Sequence, residues 1–169
     1  PESQQKLWEE NEIAPRAIDR EVASSMHMAH MGCSSKPEAL VKQALRCGLG
    51  DGWGGSMMGT EFSDVLFGTP KPIETEANLG VMVEENVNIV VHGHDPSLSE
   101  MICEVADSPE MVAYAKEMGA KGITISGVCC TSNEVAMRRG IPMAGNFLQQ
   151  ENVVLTGACE AIVVDVQCI

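Results

Sequence analysis

The spacing of apolar positions changes near residue 80. Before it, residues 4–25 mix charge with scattered apolar side chains, and the pattern predicts helix interrupted at Pro15. Lys36-Pro37-Glu38 opens a further helix through Arg46, with proline at its first turn and Gly48 and Gly50 predicting its end. The glycine-rich run DGWGGSMMGT leads into a helix over 60–66, stopped by GTPKP. Pro70, Lys71 and Pro72 predict a boundary within 68–78.

From Gly80 onward, short β-branched runs take over. Residues 87–91 read as a buried strand, followed by a helix from about Ser97 and another from Pro109 through Met118. GITIS at 122–126 predicts a second strand, then a helix over 133–139. A helix around 148–155 precedes a third strand, AIVVDV at 161–166. Strands separated by long helical crossovers predict a parallel, doubly wound α/β sheet after a helical first part.

Composition narrows the function. The 169 residues carry 24 acidic against 11 basic side chains, a net charge of −13, which argues against nucleic acid or an anionic membrane as partner. A hydrophobic content of 44% excludes a disordered acidic tail. No apolar run approaches the ~20 residues that span a bilayer. Sulfur is abundant, with 7 Cys and 11 Met. The start PESQQKLWEE lacks the pattern of a secretory signal, so reduced cysteines and a cytoplasmic location are expected. A first residue other than Met and a last one just after a strand-like run suggest an internal fragment of a longer cytosolic protein.

Each expected strand runs into residues able to bind metal. VNIVV leads to His92-Gly93-His94, GITIS to Cys129-Cys130, and AIVVDV to Cys168. Ligands of open α/β sheets gather at the carboxyl ends of the strands, so these tips are expected on one rim. The pattern leaves open whether His92 or His94 is the ligand. One imidazole with two or three thiolates suits zinc, an iron–sulfur cluster or a mixed-metal cluster, but is too few for a large cluster alone. C-x-x-C spacing is absent, which disfavours a zinc ribbon.

Cys103 and Cys159 are expected to pack inside helices, and Cys33 and Cys47 to be structural. The stretch 48–59 lacks the lysine of a phosphate loop and does not follow a strand, so its glycines are expected to end a helix and permit close packing. Asp51 within it could accept a proton or orient a ligand histidine. His27 and His30 are expected to pack in their Met-rich turn.

The segments DGWGGSMMGTEFSDVLFGTPKP, EANLGVMVEENVNIVVHGHDPSLSEMI, AKGITISGVCCTSNEVAMRRGIPMAGNFLQQ and VVDVQC resemble the catalytic subunit of the anaerobic nickel–iron–sulfur carbon monoxide dehydrogenases. The resemblance covers nearly the whole chain and is weakest over the first twenty or so residues. It implies an α/β fold with a partial Rossmann-like parallel sheet: the end of an α-helical domain at 1–76, then a truncated first Rossmann-like domain at 77–169. It also implies a nickel-containing cubane with a pendant iron, the C-cluster. By motif, His94 and Cys130 would ligate the pendant iron, Cys168 would hold a cubane iron, and Cys129 would be an alternate ligand. Asp51 falls where the family has a carboxylate near the cluster.

The implied activity is reversible oxidation of CO with water to CO2, two protons and two electrons, passed to a ferredoxin-type acceptor. Further 4Fe-4S clusters would take ligands outside this chain. A homodimer and association with an acetyl-CoA synthase complex are further expectations of the resemblance. The isolated fragment is expected to be inactive. Two alternatives share the architecture, a hybrid-cluster (hydroxylamine-reductase-like) redox protein and a non-catalytic scaffold.

Overall fold

Two β-branched runs set the sheet. In the computed structural model, which describes residues 1–165, β1 (Val87–His92) pairs in parallel with β2 (Ile123–Val128) on one side and β4 (Ala161–Val164) on the other. β3 (Met143–Gly145) joins the far edge of β2, also in parallel, giving the order β3-β2-β1-β4. The chain thus leaves β1 towards β2 and β3, then returns to the opposite side of β1. That reversal makes a switch point between the ends of β1 and β4, where open α/β sheets bind their ligands.

Side chains alternate across each strand, so the sheet is apolar on both faces. Val90 and Val128 pack with Met82, Ala144 and Val153 on one face. Val91 and Ile125 pack with Cys103, Ala106 and Val135 on the other. Each fully buried valine contributes about 1.5–3 kcal/mol. The first face is covered by α8 (Gln150–Leu155) and the turn Leu79–Val81, the second by α5 (Pro96–Ala106) and α7 (Cys129–Arg139).

Local chemistry sets the helix ends. Asp95 Oδ1 accepts the Ser97 N–H at 2.9 Å and Pro96 opens α5. Ser108 Oγ accepts the Met111 N–H at 3.3 Å to start α6 (Pro109–Glu117). Gly140, at φ 73°, ends α7 in the left-handed conformation that suits glycine.

The described residues divide into two compact units, Pro1–Gly59 and the residues from Thr60 onward. The first holds α1 (Glu2–Glu10), α2 (Ile18–Ala29) and α3 (Pro37–Gly50). Its interior is polar: the buried Glu21 carboxylate accepts the Arg16 Nε–H at 2.8 Å and the Gln43 amide at 2.8 Å. In the second unit, Arg138 of α7 holds the end of α4 (Met58–Phe67), donating to Asp64 Oδ1 at 2.8 Å and the Gly68 carbonyl at 2.7 Å.

Several expectations change. The chain does not leave the helix at Gly48 or Gly50: α3 runs to Gly50 and passes directly into a π-helical turn at Asp51–Met57. Nor do these glycines all serve close packing, since a Cβ on Gly48, Gly52 or Gly54 would meet open space. Trp53 instead secures the turn, its ring 5.7 Å edge-on from Trp8. α7 begins at Cys129 rather than Asn133, β3 is an added strand, and Cys159 lies in the loop before β4 rather than in a helix.

Candidate metal centre

β1 delivers two histidines with opposite surroundings. His92, its last residue, is fully buried, with Nε2 2.7 Å from Gln150 Oε1 and Nδ1 3.3 Å from the Val128 carbonyl oxygen. That ring braces the ends of β1 and β2 against α8. His94, two residues on, is exposed at the rim. The two histidines of the HGH motif thus differ in burial: the His92 ring is enclosed with an oxygen close to each nitrogen, and His94 is open to solvent.

The turn carrying His94 is gripped on several sides. The Asp165 N–H donates to the His92 carbonyl at 3.1 Å, extending the β1–β4 ladder by one rung. The Asp165 carboxylate then accepts the His94 backbone N–H at 2.6 Å. From the other side, the Thr131 N–H donates to the Gly93 carbonyl at 2.9 Å. Gly93 has φ +123°, and a Cβ there would overlap the Asp165 carboxylate. Glycine is required on both counts.

Cys129 and Cys130 occupy the first turn of α7. Cys129 has φ +70°, a conformation that costs a residue with a Cβ about 1 kcal/mol or more. Its thiol donates to the Cys130 sulfur at 3.9 Å. Cys130 is exposed, yet partial burial of its sulfur pushes the thiol up, with the Cys129 sulfur and then the Asp165 carboxylate adding to the effect. Behind them, buried Thr131 donates through Oγ1 to the Asp95 carbonyl at 3.1 Å and lies 2.9 Å from Ser99 Oγ, rooting α7 to α5. Gly127 lets α7 press onto β2, since a Cβ there would run into Ser132.

His94, Cys129, Cys130 and Asp165 therefore belong to the connected ends of β1, β2 and β4. Cys168 lies outside the described residues. Asp51 is exposed at the start of the π-helical turn, in the first compact unit, while the rim belongs to the second. Asp165 was absent from the expected set. Its signal was available, because it follows strand β4 directly, as Cys129 follows β2.

The rim fits a soft or borderline metal in kind: an exposed imidazole, an exposed thiol and a half-buried thiol at a strained backbone position. It fits as part of a site. Among the described residues, no three His, Cys, Asp or Glu side chains are gathered to hold an ion by themselves. Cys103 is excluded: it is buried under the sheet, and burial pushes its thiol up to about 11.

Comparison with known proteins agrees with this architecture. The chain is 56% identical over its whole length to carbon monoxide dehydrogenase 1 of Methanosarcina acetivorans, covering 27% of that protein. It is 45% identical to the carbon monoxide dehydrogenase/acetyl-CoA synthase subunit beta of Moorella thermoacetica, over 99% of this chain and 24% of the other. An as-isolated, Ni-free crystal structure of carbon monoxide dehydrogenase from Thermococcus sp. AM4 superposes on all of this chain and 27% of its own, with TM-score 0.86 and 56% identity. The chain thus spans about a quarter of the length of the relatives it matches. The model of the Prismane/CO dehydrogenase family matches residues 1–169, and the chain belongs to that family.

Proposed function

We propose that this chain forms part of the catalytic subunit of a nickel–iron–sulfur carbon monoxide dehydrogenase and contributes one rim of its cluster site. His94 and Cys130 are the iron ligands of this rim, Cys168 holds an iron of the cubane, and Cys129 is an alternate thiol. One observation carries the reading: the Gly93–His94 peptide is bonded both to the helix that bears Cys130 and to the strand end that leads towards Cys168. Separate elements are thereby tied together beside His94 and Cys130.

When bound, the cluster supplies redox-active Lewis-acid chemistry for reversible oxidation of CO with water to CO2, two protons and two electrons. The residues of this chain prepare the place for it. His94 offers a neutral nitrogen donor, which lends less negative charge than a thiolate. Cys130 must release its thiol proton on binding metal. His92 stays outside the donor set and braces the strand end below. Asp51 keeps the proton-accepting role that the resemblance implies for it in the complete protein.

Residues 1–76 close the helical domain and 77–169 begin the Rossmann-like one. Further 4Fe-4S clusters, a homodimer, a ferredoxin-type acceptor and a cytoplasmic location belong to the same reading. Association with acetyl-CoA synthase is supported by the name of the Moorella relative. The described helices include none long and apolar enough to cross a membrane.

The test is anaerobic expression of the uninterrupted gene with nickel supplied. Nickel and iron should co-purify, and CO should reduce a viologen acceptor. His94→Ala and Cys130→Ser should each lower that rate more than about a hundredfold, beyond the range for residues outside the ligand shell. A nickel-free protein would favour a hybrid-cluster relative, and full activity in both variants would overturn the ligand assignment. The 169-residue chain by itself is expected to show no CO-dependent reduction.

A further inference from the structure

We propose that Asp165 is a positioning residue: its carboxylate sets the direction of the His94 imidazole by holding the backbone amide of His94. The proposal rests on the reading of His94 as a metal ligand. An exposed side chain at a strand tip ordinarily rides on mobile backbone. Here both polar groups of the preceding peptide are engaged, the Gly93 carbonyl by the Thr131 N–H at 2.9 Å and the His94 N–H by Asp165 Oδ1 at 2.6 Å. These bonds come from opposite sides, one from the first turn of α7 and one from the residue after β4. The peptide plane is held from both sides, so the N–Cα bond of His94 has a set direction and the imidazole swings only through rotation about that bond and its own side-chain torsions.

Asp165 can bear this role because it is itself anchored. Its N–H donates to the His92 carbonyl at 3.1 Å, directly after the His92–Val164 pairing of the sheet. The carboxylate is thus one rung of a rigid ladder away from the strand it holds. A charged acceptor makes a shorter, stronger bond to an amide than a neutral one. The glycine at 93 completes the arrangement, because a side chain there would occupy the place of the carboxylate. Asp165 needs no contact with metal or substrate; it acts through the backbone of the ligand. Ligand-orienting groups of this kind affect metal sites nearly as strongly as some ligands do.

The experiment uses the full-length protein, metal-free and loaded, with D165A, D165N and H94A variants. In the metal-free protein, hydrogen exchange resolved at His94 should be slow in the parent. It should become roughly tenfold or more faster in D165A and stay within about threefold of the parent in D165N, whose side-chain oxygen still accepts. In the loaded protein, the nitrogen hyperfine coupling of a histidine ligand, read by pulsed electron paramagnetic resonance, should weaken in D165A and return in D165N. A purely structural carboxylate would lower the melting temperature without moving that coupling. Parent-like exchange in D165A, an unchanged coupling in D165A, or absence of rescue in D165N would each overturn the proposal. The H94A arm is separate: a coupling that survives there removes His94 as ligand, whereas the exchange data still read the backbone clamp alone.

Discussion

The His92 Nε2 atom lies 2.7 Å from Gln150 Oε1 in a fully enclosed setting, while His94, two residues away, stands exposed. That contrast divides a symmetric-looking HGH motif into a buried brace and an exposed histidine. Gln150→Leu should destabilise the metal-free protein by about 1–3 kcal/mol, because it leaves a buried ring nitrogen unsatisfied. His94→Ala should change stability by no more than about 0.5 kcal/mol, as for other exposed positions. Denaturant unfolding of both variants tests the division, and equal costs would reject it.

Cys129 holds φ +70° at the head of α7. Glycine adopts that conformation without strain. Cys129→Gly should therefore leave the metal-free melting temperature unchanged or slightly higher. Cys129→Val, with a β-branched side chain, should cost about 2 kcal/mol. Calorimetry on the pair checks the ordering, and a stabilising valine would contradict it.

In the helical unit, hydrogen bonds from Arg16 hold the Glu21 carboxyl well below the usual carboxylate range, with Gln43 adding to the effect. A carboxyl whose folded value is depressed stabilises the fold above its unfolded value of about 4.3 and loses that contribution as pH falls below it. Glu21→Gln removes the titrating group, so its stability should fall less steeply than the parent's between about pH 4 and pH 2. Melting temperatures across that range provide the check, and parallel curves would remove Glu21 from the acid response.

Arg138 is 5% exposed and faces three carboxylates, Asp64 at 2.8 Å, Glu134 at 3.0 Å and Glu100 at 3.2 Å, besides the Gly68 carbonyl. Removing a buried cation strands its partners. Arg138→Leu should cost about 3 kcal/mol. Arg138→Lys should recover little, since an ammonium lacks the planar fork that reaches several acceptors at once. Urea titration distinguishes the two variants from the parent, and a lysine variant as stable as the parent would refute the fork argument.

Much of the α/β part was legible from pattern. The β-branched run at 87–91 is β1, GITIS lies at the start of β2, AIVV forms β4, and prolines 96 and 109 open helices. β3 was not legible. Met143–Gly145 is three residues long, follows Pro142 and owes its strand character to pairing with β2. The start of α7 was missed because Cys129 and Cys130 are poor helix signals and Cys129 enters through a left-handed backbone. The π-helical turn was hidden by glycines that elsewhere mark loops, whereas here the Trp8–Trp53 contact secures it.

Local sequence alone determined the strand periodicity, the proline and serine helix starts and the strand ends beside which His94, Cys129 and Cys130 stand, because each follows from side-chain alternation or backbone chemistry over a few residues. Family membership was legible for the same reason, being written in contiguous motifs. Tertiary structure decided which histidine is buried, that Gly93 must yield its space to Asp165, and that a carboxylate 71 residues away along the chain holds the amide of His94. Those outcomes depend on strand order and register, and the reversal that sets β4 beside β1 lies in no single segment.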